Sequence, residues 1–545
     1  MTDAPPLWRQ KIDVEQVKAV GLDVDLERLE AEGYDCLTPE EWYRLKTWGV
    51  CSQRTPGLHM IRIRVPGGAI GAGQLRGLAA VSAEQADGGA HITMRQNLEL
   101  HGVPSRKVRR TLEGVHRLGL TTRSSCGHTV RNIVGCQLAG ICAQEVLDVR
   151  PTVLAIHEFF LSRAAYYNSR LPRRLNVYVS GCPQCMAHAQ IQDLGFVATR
   201  RGQEVGFQLW CAGSLASNPR LAHLLFGFVP VEEVLAVCEA VAHVYIEHGF
   251  RGRPAKARLK FLLEEWGEDR FAAAVLERLR QKRPGTRTER SGALPVVGPD
   301  RRPAGEHGIH PQRQAGYVRV ETRVPLGDLD QEQMECLASL AEAHADGQVY
   351  LTREQNAELH YVRYESAETV ATALQAVGLA PEGAGGLVDV SVCAGTEWCV
   401  WGIGDSRGLA RDLSDDLAEV VAGDPGVRHL RVAVSGCFHG CASHQTADIG
   451  LSAVRSSDGA ASDEGFEVYG GGRLGADPVA GTRIGRVGLA ETREAVVELF
   501  KAYLHERAPG ESFPVFMERE GRRIIDRRRE EARVGAGVGD GAALA

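Results

Sequence analysis

At 545 residues and 44% apolar composition, the chain exceeds one ordinary domain and can bury large cores. A net charge of −6 gives a general nucleic-acid role no electrostatic support. No apolar run approaches a membrane span, and the opening MTDAPPLWRQKIDVEQ lacks the apolar core of a signal peptide. The 14 cysteines are therefore expected in a reducing cytoplasm, as metal ligands or buried thiols.

Residues 1–50 read as a helical extension, with short helices such as Val14 to Val20 and Pro39 to Lys46. Beyond it the chain repeats itself. QNLELH at Gln96 to His101 returns as QNAELH at Gln355 to His360, and RVPGG at Arg64 returns as RVPLG at Arg323, both offset by 259. VSGC at Val179 returns at Val434, and GFQLWCAG at Gly206 returns as GFEVYGGG at Gly465. Matches in constant order mark a duplication. Each copy opens with strand, turn, helix and strand, the helices near Ala72 to Ala86 and Asp330 to Ala343, then adds a larger segment of strands and helices. The expected domains are residues 51–122 and 316–380 as the two short modules, and 123–283 and 381–510 as the two larger ones. A linker rich in Pro, Gly and Arg spans 284–315. Ser456 to Gly465 reads as a polar loop, and 511–545 as an extension whose tail beyond Glu530 is disordered.

The chemistry concentrates between Val388 and Gly450. Cys393 and Cys399 stand in SVCAGTEWC, and Cys437 and Cys441 in VSGCFHGCASH. A helical pattern from Gly404 to Ala422 and a strand from His429 to Ser435 separate the pairs. Four thiolates on two loops suit zinc or an iron–sulfur cluster. The first spacing is looser than the pairs usual for zinc, whereas clusters accept a wider range. Four buried, unliganded thiols are the plain alternative.

The C-x5-C and C-x3-C quartet, followed by Ala447-Asp448-Ile449-Gly450, resembles the sirohaem-dependent nitrite and sulfite reductases, and the likeness runs from Tyr43 to His505. The resemblance implies an α+β fold of two pseudo-twofold-related halves, each a ferredoxin-like module plus a larger mixed α/β module, with sirohaem in the crevice between halves. It implies a 4Fe-4S cluster on Cys393, Cys399, Cys437 and Cys441, with Cys441 also bridging to the sirohaem iron. By motif it places Arg64, Arg131, Arg174 and Asn176 in the anion-binding, catalytic set. Arg95, Arg258 and Lys260 fall in the strip that faces the macrocycle. A buried site for a multiply carboxylated cofactor and an anion needs such cations. The implied reaction is the six-electron reduction of nitrite to ammonia, or of sulfite to sulfide, with electrons passing singly through the cluster.

Three departures from the family pattern stand out. LPRRLN carries Arg174 and Asn176 where the sulfite-reducing branch has two lysines, and one cation fewer suits the single charge of nitrite. Phe438-His439 replaces a Pro-Asn, so His439 is either a macrocycle contact or a solvated loop residue. Cys136, Cys142, Cys182 and Cys185 mirror the quartet across the repeat and read as buried remnants of the duplication, against a second metal site. No Rossmann fingerprint supplies a nicotinamide donor, which points to a separate ferredoxin, steered by the basic runs Arg106 to Arg110, Arg278 to Arg283 and Arg522 to Arg529. A monomer is expected. A precorrin-3B synthase-like oxygenase and a silent cluster or tetrapyrrole carrier are the competing readings.

Overall fold

The computed structural model describes residues 6–216, 218–291, 308–455, 464–475 and 477–539, with the side chains of 184–187 and 532–539 outside the description. It is α+β and divides into two compact units: one built from the chain up to Pro381, the other from Glu382 onward together with Leu215–Pro219. No described helix is long and apolar enough to cross a membrane.

Two five-stranded antiparallel sheets in the first unit carry the repeat. One runs in the spatial order Val50–Ser52, Leu58–Ile63, Leu98–Pro104, Ala90–Ile92 and Asp328–Leu329. The other runs Ile309–Pro311, Tyr317–Thr322, Ala357–Arg363, Gln348–Leu351 and Ala69–Gly71. Each sheet thus ends in a strand from the other copy, through the pairings Asp328 with His91 and Val349 with Ile70. The two short modules, expected as separate, are interlocked and share one core. Helix Ala72–Gln85 buries Leu75, Leu78, Ala79 and Ser82, the one-sided spacing of an amphipathic helix. Helix Gln331–His344 starts at a capping box of Asp330 and Gln333 and buries Met334, Leu337, Ala338 and Ala341 in the same cluster.

A third sheet of the first unit runs His223–Pro230, Glu204–Cys211, Leu194–Arg201, Leu175–Ser180 and Val130–Gly135. Its last three strands are parallel and the rest antiparallel. The sheet of the second unit, Ser391–Val392, Val432–Ser435, Ile449–Val454, Gly465–Gly470 and Thr482–Gly488, repeats that pattern of two parallel then two antiparallel pairings. Leu175–Ser180 and Val432–Ser435 occupy corresponding places and are buried at every residue, as strands covered on both faces are.

The N-terminal extension also holds the short helix Leu26–Glu32, capped by Asp25. The linker ends in the edge strand Ile309–Pro311, and its start is tied down by Thr288, which hydrogen-bonds buried Glu233; residues 292–307 lie outside the description. The tail beyond Glu530 continues the helix Phe513–Gly539. Of the loop read at Ser456 to Gly465, residues 456–463 lie outside the described residues, and Gly465 opens a strand.

Candidate functional site

In the second unit the parallel register Ser391 with Ala433 and Val392 with Val434 sets both cysteine loops at the same strand ends. Cys393 follows the first strand, Cys399 closes the one-turn helix Gly395–Trp398, and Cys437 and Cys441 follow Val432–Ser435. The loops approach closely because they are lined with glycine. A Cβ on Gly436 would stand 2.7 Å from the Cα of Gly395, and one on Gly402 would stand 2.3 Å from the Gly395 carbonyl oxygen. The Gly436 N–H donates to Cys393 Sγ at 3.1 Å, and the Trp401 N–H to Cys399 Sγ at 3.4 Å. Backbone donors aimed at sulfur favour the thiolate. Burial pushes the Cys437 thiol up to about 12, and the nearby sulfurs of Cys393 and Cys399 add to it. Among the described residues no group of three His, Cys, Asp or Glu side chains is placed to hold a single metal ion. A cluster held at its corners fits this donor set. Cys441 is exposed, and His439 Nδ1 lies 3.2 Å from Cys437 Sγ with its ring stacked on exposed Phe438 at 4.5 Å.

The first unit gathers the cations. Arg174 is half-buried and makes no hydrogen bond among the described residues. Its pKa is held well below the usual arginine value by Arg258 first, then burial, Arg131 and Arg173. Burial and then Arg131 press Arg95 down to about 9, burial presses Arg131 to about 10, and burial with Arg258 brings Lys260 to about 8. Positive charge thus accumulates in a desolvated place. The carboxylate set against it, Asp193, is fully committed: both oxygens accept from Arg258 Nη2 at 2.9 Å, and one accepts the Asn176 N–H at 2.8 Å. Buried polar atoms left without a partner include Asn176 Oδ1, Arg131 Nε, Arg258 Nε and Asn132 Oδ1. Buried cations in excess, beside unsatisfied donors and acceptors, are what a multiply anionic ligand would complete.

Arg131, Arg174, Asn176, Arg95, Arg258 and Lys260 therefore share one electrostatic neighbourhood, whereas Cys393, Cys399, Cys437 and Cys441 belong to the other unit. Arg64 is 1% exposed, and its guanidinium donates to the carbonyl oxygens of Val130 at 2.9 Å and Arg131 at 3.0 Å, while its Nε has no partner. It thereby fixes the strand that carries Arg131. The neighbouring Arg62, which sequence reasoning passed over, points to the thiol of Cys126 at 2.7 Å while pairing with Glu99 at 2.6 Å. The two-residue period of the strand, which puts Arg62 on the face of Arg64, was the available signal. Asp193 was missed as well, although the repeat marks it: Asp193-Leu194-Gly195 corresponds to Asp448-Ile449-Gly450 at the offset that relates the two VSGC strings.

Of the mirrored cysteines, Cys136 and Cys182 are buried and Cys142 half-buried; the Cys185 side chain is outside the description. The basic runs are largely spoken for. Arg106 donates to the carbonyls of Glu30 and Glu32, Arg109 and Arg110 pair with Glu30, and Arg278 and Arg283 pair with Glu247 and Glu233. Arg523, Arg527 and Arg528 pair with Glu506, Glu520 and Glu498. Such pairs leave little net field for steering.

Comparison with known proteins places this geometry. The family model described as the nitrite and sulphite reductase 4Fe-4S domain matches residues 126–283 and 383–508. The nitrite/sulfite reductase ferredoxin-like half domain matches 52–118 and 310–377. The ferredoxin–nitrite reductase of Synechococcus elongatus is 31% identical over 83% of this chain and 87% of its own. A ferredoxin sulfite reductase of Mycolicibacterium paratuberculosis is 29% identical over 92% of this chain and 93% of its own. The solved structure of the Mycobacterium tuberculosis NirA protein superposes with a TM-score of 0.83 at 28% identity, covering 93% of this chain and 96% of that one.

Proposed function

Because the chain belongs to the nitrite and sulphite reductase family, with its 4Fe-4S cluster and sirohaem, we propose that it reduces nitrite to ammonia with electrons from ferredoxin. Cys393, Cys399, Cys437 and Cys441 would hold the cluster. Arg95, Arg258 and Lys260 would take the macrocycle's carboxylates. When bound, these groups supply the electrons and the metal at which the oxyanion is reduced. The rest falls to the side chains of the first unit.

The observation that carries the reading is Arg174, a guanidinium without a hydrogen-bond partner among the described residues and pressed by three other cations. An anion relieves that repulsion, and Arg131 is placed to share it. A guanidinium binds such an oxyanion without giving up its proton, so Arg174 and Arg131 would orient substrate and stabilise charge as each oxygen leaves. Arg64 acts through Arg131 by fixing its carbonyl. Asn176 presents a buried oxygen with no partner, which can accept an N–H or O–H from a partly reduced nitrogen species or from water.

Sulfite is the second reading, favoured by the resemblance to the mycobacterial sulfite reductase. Charge speaks for nitrite: Asn176 stands where a further cation would serve a dianion. Turnover of nitrite and sulfite by one purified sample, with reduced methyl viologen as donor, separates the two. Nitrite is expected to be the better substrate, and Asn176→Lys should raise the sulfite-to-nitrite ratio of kcat/KM by roughly tenfold, since each added charge contact is worth about 1–2 kcal/mol. An unchanged ratio would remove the charge reasoning, and turnover of neither anion would remove the assignment.

A further inference from the structure

Apart from the quartet and its mirror, one more pair of cysteines is set in charged surroundings. Cys51 lies in the edge strand Val50–Ser52, and Cys126 in the segment that leads into Val130–Gly135. Backbone contacts draw the two segments together. The Ser124 N–H donates to the Thr47 carbonyl at 2.8 Å, and Ser125 Oγ donates to the Arg62 carbonyl at 2.9 Å. Gly49, at φ +84°, lies so close that a Cβ there would stand 2.5 Å from the Thr122 carbonyl oxygen. The two thiols perturb each other's ionisation, Cys51 being raised and Cys126 lowered. Arg62 Nη1 donates to Cys126 Sγ at 2.7 Å, with Arg131 and Lys46 also near the pair.

A neutral thiol is a poor acceptor for a guanidinium, whereas a thiolate is a good one. The Arg62 contact therefore favours the thiolate on Cys126, and the neighbouring Cys126 sulfur and burial hold Cys51 as the thiol. Cys211 and Cys238 show the contrast: both are fully buried, neither has a cation beside it, and burial pushes their thiols up. Reactive cysteines occupy electropositive surroundings with a route to solvent. Here half-exposed Cys51 supplies the route and Cys126 the anion.

We propose that Cys51 and Cys126 form a redox modification site, in which a small disulfide of the glutathione type converts the pair to an internal disulfide beside Arg62 and Arg131. Cys51 passes its proton to Cys126 as its sulfur attacks the small disulfide and expels one thiolate, leaving a mixed disulfide. Cys126 then attacks the Cys51 sulfur and expels the second thiolate. Two electrons pass from the protein sulfurs to the small disulfide, and the proton first held by Cys51 leaves on one of the two released thiols. The pocket loses one negative charge next to Arg62. The anion held by Arg131 should then bind more tightly, lowering its KM by roughly threefold to tenfold.

The test uses the full-length, cofactor-loaded protein, reduced and then exposed to oxidised glutathione, blocked with a thiol alkylator under denaturing conditions, and mapped by mass spectrometry. The expected product is the Cys51 peptide joined to the Cys126 peptide, two hydrogens lighter than their sum and released by dithiothreitol. Both thiols still alkylatable at saturating oxidant, or glutathione resting on Cys51 without transfer, would overturn the site. The lower KM should reverse with dithiothreitol and be absent in Cys51→Ser; the same shift in that variant, or none in the cross-linked protein, would overturn the link to the pocket. The mass readout does not depend on which anion is reduced, so the site and the reductase reading can fail separately.

Discussion

Replacing Asp193 by asparagine tests the claim that the first unit concentrates uncompensated positive charge. The side chain of Asp193 is 0% exposed and that of Arg258 9%. Both carboxylate oxygens accept from Arg258 Nη2 at 2.9 Å, and one also accepts the Asn176 N–H at 2.8 Å. An amide of the same size keeps the volume but offers one acceptor oxygen and turns a donor toward a donor. Arg258 Nε already lacks a partner, so the variant leaves a buried guanidinium facing other cations. Breaking a buried pair from one side costs about 3–5 kcal/mol. In a unit of this size that lowers the melting temperature of the first transition by roughly 6–10 °C, at about 2 °C per kcal/mol. Calorimetry can follow it, because units that melt apart give separate transitions. Sulfate should recover more of the loss in the variant than it adds to the parent, since the variant has one more positive charge to offer an anion. A variant melting within about 2 °C of the parent, with the same response to sulfate, would show that Arg258 is hydrated and that the cation cluster is not under electrostatic load.

The charge on Lys260 should be visible in pH profiles. Burial lowers its pKa from the ordinary lysine value to about 8, so its charge is complete below that pH and lost as pH rises through it. KM for the anion should therefore rise above about pH 8, with the break moving upward in Lys260→Arg; an unchanged break in Lys260→Met would assign it to another group. Serine at Cys393, Cys399 or Cys437 should each cost about four irons per chain together with the cluster's visible absorbance. Retention of both in any one variant would exclude that residue as a ligand.

Much of the architecture could be read from residues alone. The helix expected near Ala72 to Ala86 spans Ala72–Gln85, and that expected near Asp330 to Ala343 spans Gln331–His344, because their apolar spacing is unbroken. The exchanged strands could not be read. Ala69–Gly71 and Asp328–Leu329 are too short to show alternation, and only pairing partners distant in the chain define them. The quartet was legible because four cysteines on Gly-bearing loops form a pattern. Arg64 was legible as buried, but its hydrogen bonds to the Val130 and Arg131 carbonyls were not, since a strand position fixes the face of a guanidinium and not what it donates to. Arg62, Cys51 and Cys126 went unread because their association depends on backbone contacts between segments far apart in sequence.

The exchange of edge strands between the copies has a bearing on how such a chain reached its present form. A single ancestral copy would have had to complete its sheet with a second molecule, trading Ala69–Gly71 for the equivalent of Asp328–Leu329 across a two-fold axis. Fusion of the two genes would then preserve the old dimer contact inside one polypeptide. The seam lies at the pairings of His91 with Asp328 and Ile70 with Val349, where one half lends the other its outermost hydrogen bonds. Cutting the chain between the copies leaves each fragment with an open sheet margin, the kind that recruits stray strands. The halves can diverge in chemistry, one gathering thiols and the other guanidinium groups, but not in the small geometry of that clasp.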